Sequence, residues 1–407
     1  MALQVQCAIA GGGPAGMMLG VMLARAGVSV LVLEKHADFL RDFRGDTVHP
    51  STLQAMDELG FLDDFLKVPH EKIRKLTVTV GDRQYNFANF GFLPARTSFI
   101  AMVPQWDFLN FLADRGRRYQ GFRLEMNARV TGLIEEGGAV RGLKAETPNG
   151  PIEVRADLVV GADGRASDVR EISRLEIEDL GAPIDAFWMR VSRLPSDPGS
   201  GGRISGRLFL ALIARGDYWQ LACVIPKGEA DAIRARGIGK FREDLRFSAP
   251  FLGDRVNELK SFDDIKLLTV RIDRLKQWWK PGLLCIGDAA HAMSPVGGVG
   301  INLAIQDAVA AANILAGPLK TGKLTDADLA AVQKRREFPT RAVQRVQIAA
   351  QNDLIRPSIG RNAPPHAPFV LRLFNAVPIF QRLPAQIFGL GIRQEHVRPE
   401  IRAANGR

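Results

Sequence analysis

The 407 residues are 46% hydrophobic and 24% charged, the balance of a globular protein of two or three domains with a large core. A formal net charge of +10 favours anionic partners. The basic residues nevertheless run through the whole chain without a zinc, helix-turn-helix or RNP pattern, which sets a nucleic-acid reader aside. Cys7, Cys223 and Cys285 lie far apart and outside any CxxC, which excludes a disulfide scaffold or thiol relay and suits a reducing cytosol. No basic stretch precedes an apolar core at the N-terminus, and no run of about 18 uninterrupted apolar residues occurs. The expectation is a cytoplasmic protein with no signal peptide, no membrane span and no metal.

In chain order, residues 5–10 are a short apolar strand that runs into Gly11-Gly12-Gly13-Pro14-Ala15-Gly16. Residues 17–26 form a helix of small and apolar residues stopped by Gly27, and residues 28–33 a second buried strand ended by Glu34. This is the order strand, Gly-x-Gly-x-x-Gly, helix, strand, acid. Gly11 permits the tight turn, Gly13 lets the backbone approach a pyrophosphate, and Gly16 lets the helix pack on the strand. The helix N-terminus favours the pyrophosphate charge, and Glu34 can accept both hydroxyls of an adenosine ribose. The motif alone does not separate NAD from FAD.

Residues 75–87 alternate as a strand pair around a Gly-Asp turn. Residues 158–167 are a strand that turns sharply at Asp163-Gly164. From 183 to 269 the pattern is mostly strands, with a hairpin turn at Arg215-Gly216-Asp217 and a Gly/Pro/Ser loop over 196–206 that reads as a mobile edge. Residues 283–291 are again a buried strand that enters Gly287-Asp288. The loop Pro295-Val296-Gly297-Gly298-Val299-Gly300-Ile301-Asn302 follows, then an Ala-rich helix to about 315. A planar ligand could lie on that bare backbone, with the helix N-terminus behind it stabilising negative charge. A long helix is expected from 326 to 356. The tail then carries Phe369, Leu371, Leu373, Phe374, Phe380, Leu383, Ile387 and Phe388 among Arg and Pro, as a packed helical cap or as a peripheral membrane or partner face.

Residues 5–315 together resemble the group A flavoprotein aromatic hydroxylases, the 4-hydroxybenzoate hydroxylase-like monooxygenases. The shared order is dinucleotide fingerprint, DG motif, then GD motif with P-x-x-G-x-G-x-N. The resemblance implies an α/β architecture: a Rossmann-type FAD-binding fold with a β-sheet substrate domain and C-terminal helices. The FAD part would be discontinuous, over 1–74, 95–174 and 280–317. The substrate sheet would use 75–94 and 175–279, and 318–407 would form the C-terminal helical region.

On this resemblance Gly11, Gly13, Pro14, Ala15, Gly16 and Glu34 hold the ADP part of FAD, with Lys35 beside the ribose and Val130 at the adenine. Arg44 reaches the pyrophosphate and Gln105 the ribitol region. Asp163 serves both FAD and the nicotinamide cofactor. Gly287 and Asp288 hold the ribitol, while Pro295, Gly298, Gly300, Ile301 and Asn302 border the isoalloxazine. The implied cycle has NADPH or NADH reduce FAD, dioxygen add to give a C4a-hydroperoxide, and its terminal oxygen pass to an electron-rich carbon of an aromatic or polycyclic substrate. The cofactor carries this chemistry, and the Pro295 carbonyl is the nearest catalytic candidate.

Plainer readings stand beside these. Arg44 could instead be a surface arginine, Gln105 a helix cap, and Asp163 a residue acting mainly through its turn. His291 reads as a structural histidine held by backbone, since no carboxylate partner sits at a telling spacing, and His49 carries still less signal. A single Gly-x-Gly-x-x-Gly without CxxC excludes the disulfide reductases, and the halogenase Trp-x-Trp-x-x-Pro is missing. A prenyl-lipid-type reductase and a non-catalytic FAD sensor remain as alternatives. Phe209, Leu210, Leu212, Trp219 and Leu221 on the cavity strands hint at a bulky ring system such as a polyketide, quinone precursor or quinoline.

Overall fold

The computed structural model describes residues 3–40, 47–93, 96–355 and 367–403. Four parallel strands form the centre of an eight-stranded sheet. Leu3–Ala10 pairs on one side with Val30–Glu34, which pairs with Phe122–Met126, and on the other side with Gly150–Gly161. Leu283–Cys285 adds parallel to Gly150–Gly161, and Trp279–Lys280 closes that edge. Val30–Glu34 is buried along its whole length, so both faces of the sheet are covered and the strand reads as continuous apolar sequence. The helices Pro14–Arg25 and Gly300–Thr321 pack against one another and fill the core with small residues such as Ala308, Ala311 and Ala312. Residues 296–321 are long and apolar enough to cross a membrane by composition, but most of that segment is buried inside the protein.

This topology matters for function because the carboxyl ends of four strands meet along one edge. Ala10, Glu34, Gly161 and Cys285 each end a strand there, and each opens into one of the motif turns. Crevices at that edge are where open α/β sheets bind ligands.

A second, seven-stranded sheet lies beyond the glycine turns. Its order is Lys266–Leu268, Ile184–Ser192, Tyr218–Pro226, Phe209–Arg215, Gly201–Ile204, Lys75–Val80 and Arg83–Asn89. The expected hairpin at Arg215-Gly216-Asp217 is present, with Arg215 paired to Tyr218. The 196–206 stretch departs from expectation. Instead of a loose loop it contains the strand Gly201–Ile204, which joins both halves of the sheet by pairing with Phe209–Arg215 and, in parallel, with Lys75–Val80. Its glycines have a structural cause: a Cβ on Gly201 would sit 2.7 Å from Thr77 Oγ1.

The long C-terminal helix runs Asp326–Ala349 and continues as a π-turn over Ala350–Ile355. In the tail, the helices Phe369–Ala376 and Arg382–Gly389 pack on Arg83–Asn89, as a cap would. Phe369, Val370, Ile379, Phe380 and Leu383 point outward from it.

Candidate functional site

The first glycine turn is built by contact. Gly11 has φ +104°, and a Cβ there would fall 2.4 Å from the carbonyl oxygen of Ala162 on the neighbouring strand. A Cβ on Gly16 would fall 2.0 Å from the Gly11 carbonyl oxygen, so any side chain would force the helix off the sheet. Gly13 differs: its Cβ position has no protein atom nearer than 3.9 Å, and it faces the mouth of the helix. Pro14 occupies the first turn, and the first bond within the helix is Met17 N–H to the Gly13 carbonyl at 2.9 Å. The amides of Ala15 and Gly16 precede that bond and are the groups an anion would use.

Glu34 is buried at the end of its strand. Its Oε2 accepts from the Gly12 amide at 2.9 Å and its Oε1 from the His36 amide at 3.2 Å, which fixes the carboxylate while leaving acceptor capacity. Gly11, Glu34, Lys35, Val130 and Asp163 line one open cleft, so the residues expected at the adenosine end are brought together. Asp163 also holds its own turn. It accepts from Ser167 Oγ at 2.5 Å and from the Val169 amide at 3.1 Å, and burial holds its pKa above the usual carboxylate range. Both readings of Asp163 therefore describe the same carboxylate.

At the other end of the edge, Gly287 takes φ +60°, and a Cβ there would press within 3.2 Å of both Ala15 and Ala304. Asp288 next to it pairs with Arg165, Nε to Oδ2 at 3.0 Å. Sequence reasoning missed Arg165, although it stands directly after Asp163-Gly164. The pair ties the DG turn to the GD turn.

His291 corrects an expectation. It is held by a carboxylate, not by backbone: Nε2 lies 2.5 Å from Asp307 Oδ2, with both side chains fully buried. Asp307 sits sixteen residues on in the chain, and the helix Gly300–Thr321 carries it back beneath the GD turn. There it accepts from the Gly287 amide at 3.1 Å and from Arg336 Nε at 2.9 Å, and Arg336 reaches Glu395 at 3.3 Å. Burial alone would raise the Asp307 pKa, but His291 and Arg336 beside it hold it below the usual range.

The glycine loop is pinned from behind. Gln347 accepts from the Ser294 amide at 3.2 Å and donates to the carbonyls of Ser294 and Val296 at 3.0 and 2.8 Å. The Pro295 carbonyl accepts from the Gly298 amide at 3.0 Å. Gly297 and Gly298 have φ +81° and +64°. Gly300 has nothing nearer than 3.9 Å to its Cβ position, so bare backbone faces outward there, and Ile301 beside it is half-buried. Asn302 is fully buried and accepts from the hydroxyls of Ser51 and Thr52. Gln105 is half-buried as the first residue of Gln105–Gly116; the capping position falls on Pro104 and no side chain caps that helix. Arg44 lies outside the described residues.

The cavity strands need a second correction. Leu210, Leu212, Trp219 and Leu221 all pack away from the glycine loop, into a separate core with Phe241, Leu245 and Val256. Alternation along the strand puts Phe209, Ala211 and Ile213 on the other face. Of the residues expected to line the cavity, Phe209 alone is on that face, where it packs, as Val296 of the loop does, against the buried Ile184, Val224 and Ile355.

Taken together, these groups fit an extended dinucleotide. The turns at Gly11, Gly16 and Gly287 are closed to any side chain, Gly13 and Gly300 offer open backbone, and carboxylates stand at both hydroxyl-bearing ends.

Comparison with known proteins agrees. The family model described as FAD binding domain matches residues 4–346. The 6-methylpretetramide 4-monooxygenase of Streptomyces rimosus is 32% identical over 379 residues, covering 92% of this chain and 89% of that protein. Among solved structures, p-nitrophenol 4-monooxygenase PnpA from Pseudomonas putida has a TM-score of 0.76 at 19% identity, covering 97% of this chain and 100% of that one. The OxyS anhydrotetracycline hydroxylase from Streptomyces rimosus has a TM-score of 0.74 at 24% identity, covering 96% of this chain and 77% of that one. Further curated relatives are longer, and this chain spans 61–65% of their length.

Proposed function

The chain belongs to the family of FAD-dependent aromatic hydroxylases and is an FAD-dependent monooxygenase, and from that premise we propose that it hydroxylates a fused-ring aromatic of the polyketide class. The observation that carries the substrate reading is the wall opposite the glycine loop. Phe209, Ala211 and Ile213 share one strand face; Phe209 packs with Val296 against Ile184, Val224 and Ile355, and Ile213 packs in a neighbouring apolar cluster with Phe90 and Met102, a wall suited to a flat polycycle. The 6-methylpretetramide relative supports the same class.

Bound FAD would supply hydride acceptance from NADH or NADPH and activation of dioxygen for transfer of one oxygen atom to the ring. The chain's own residues bind, orient and exclude water. The Ala15 and Gly16 amides would take the pyrophosphate, Glu34 and Lys35 the adenosine ribose, Val130 the adenine, and Asp288 a ribitol hydroxyl. The N-terminus of Gly300–Thr321 points its partial positive charge at the loop where the ring system would gain negative charge on reduction. In this reading 1–74, 95–174 and 280–317 hold the cofactor, and 75–94 with 175–279 supply the substrate wall.

The test is the absorbance spectrum of the purified protein, followed by NADPH or NADH and dioxygen with anhydrotetracycline as probe and p-nitrophenol as the single-ring control. A product of anhydrotetracycline heavier by one oxygen atom, with little turnover of p-nitrophenol, is expected. Turnover of p-nitrophenol alone would overturn the fused-ring assignment. Reduction of a double bond without oxygen uptake would indicate a reductase.

A further inference from the structure

The helix Arg382–Gly389 ends, as helices do, with carbonyls that lack helical partners. The amides of Leu390 and Gly391 both turn back to the Gln386 carbonyl, and the Phe388 carbonyl points instead at His49, 2.6 Å from Nδ1. The other ring nitrogen, Nε2, faces the Gly298 carbonyl at 3.0 Å. One imidazole therefore stands between the cap helix and the glycine loop, touching a backbone oxygen of each.

His49 is fully buried, and burial pushes its pKa down to about 4, so at neutral pH it has a single N–H for two oxygens. Gly298 already accepts from Thr47 Oγ1 at 3.0 Å. The shorter contact, to an oxygen with no other donor among the described residues, places that proton on Nδ1, facing Phe388.

The side chain of the same residue lies where the pieces of the site meet. A Cβ on Gly297 would fall 2.5 Å from the Phe388 ring, so the ring rests directly on the backbone of the glycine loop. It meets Phe87 of the substrate sheet edge to face, centroids 6.1 Å apart, and packs, as Ile213 of the wall does, against the buried cluster of Ala88, Phe90 and Met102. On its other side it meets Met293, Val299 and Val343. The ring is only half-buried, so part of it stays open to contact.

We propose that Phe388 is the specificity-determining end wall of the aromatic site, and that His49 is the positioning residue that holds it against the glycine loop. The inference rests on the FAD-dependent reading above. A rigid aromatic wall sets how long a ring system can lie on the loop, because close-packed interiors transmit a misfit without absorbing it. His49 sets the wall's distance from the loop, since it contacts the backbone on both sides of that gap.

The experiment uses the full chain loaded with FAD and two readouts. Calorimetric titration gives the ratio of affinities for anhydrotetracycline and p-nitrophenol, and iodide quenching of flavin fluorescence without substrate reports how far the ring is covered. Phe388→Ala is expected to move the ratio roughly tenfold toward the fused ring, the scale of a changed apolar contact, and to raise quenching severalfold. Phe388→Trp is expected to move the ratio the other way, and Phe388→Leu covers the case in which the alanine variant fails to fold. His49→Gln, which keeps one amide donor, is expected to shift the ratio in the direction of Phe388→Ala. In a Phe388→Ala background it is expected to add nothing, because it acts through that ring. The exposed Phe380→Ala is the control and leaves both readouts unchanged. FAD bound, with neither ratio nor quenching moved by the Phe388 variants, overturns the inference alone. A chain that binds no FAD overturns the function it rests on as well.

Discussion

Arg165 crosses from one glycine turn to another to meet Asp288, Nε to Oδ2 at 3.0 Å, with each side chain about one third exposed. The pair fixes where the Asp288 carboxylate points before any ligand arrives. At that exposure the interaction itself contributes about 0.2–1 kcal/mol. Arg165→Ala is accordingly expected to weaken FAD binding by only about two- to fivefold, measured by fluorescence titration of apoprotein. Asp288→Ala removes the acceptor itself and is expected to cost about tenfold or more in the same assay. Equal effects from both would show that the arginine, not the carboxylate, makes the contact.

Gly13 and Gly16 separate folding from binding. The Cβ position of Gly16 is filled by the Gly11 carbonyl, whereas that of Gly13 is open to the mouth of the helix. Gly13→Ala is expected to leave the melting temperature nearly unchanged while weakening FAD binding by about tenfold or more. Gly16→Ala is expected to lower stability by several kcal/mol through overpacking against backbone, read by urea denaturation.

Arg336 offers a test of the buried charge cluster. It lies between Asp307 and Glu395, and all three side chains are buried. Arg336→Met is expected to cost about 3 kcal/mol in urea unfolding because it removes the buried cation shared by the two carboxylates, leaving Asp307 only His291 and Glu395 only the half-exposed Arg335. A loss under about 1 kcal/mol would mean the cluster is hydrated and the ion pairs are incidental.

His49 predicts an acid-side loss of stability. Its pKa falls from 6.5 to about 4 on folding. Above 6.5 neither state holds the proton and the full stability is present. As pH falls toward 4 the unfolded chain takes up a proton that the folded chain refuses, so stability drops. At about 1.4 kcal/mol per pH unit the loss totals about 3 kcal/mol and is complete below about 4. The ΔG of unfolding against pH checks this: His49→Gln is expected to flatten the curve over that window.

The glycine turns at the sheet edge were legible in the sequence because their information is local. Gly11 and Gly16 stand where backbone approaches backbone and Gly287 where two alanine methyls crowd it, and the turns at Gly11 and Gly287 are announced by the apolar strands just before them. The hairpin at Gly216 was local in the same sense. What sequence could not supply was partnership across the chain. Asp307 looked like one more residue of an Ala-rich helix until that helix folded back under His291. Leu210 and Trp219 were placed on the wrong face because alternation fixes which residues share a face, not which face meets the cofactor. Gly201–Ile204 looked like a loop because glycine-rich stretches do, while its glycines answer to Thr77, far away in sequence.

That strand also bears on how the chain matures during synthesis. Val78 pairs with Gly202, made 124 residues later (202 minus 78). At about 5–20 residues per second, the Lys75–Asn89 hairpin waits about 6–25 s beside the ribosome with its pairing edge bare. Bare edges invite strands from other chains, and charged side chains are the usual deterrent. Lys75 and Arg83 flank this one. Slow translation through residues 90–200 therefore lengthens the interval in which two nascent copies can join by the wrong edge, and those two cations are what stand guard over it.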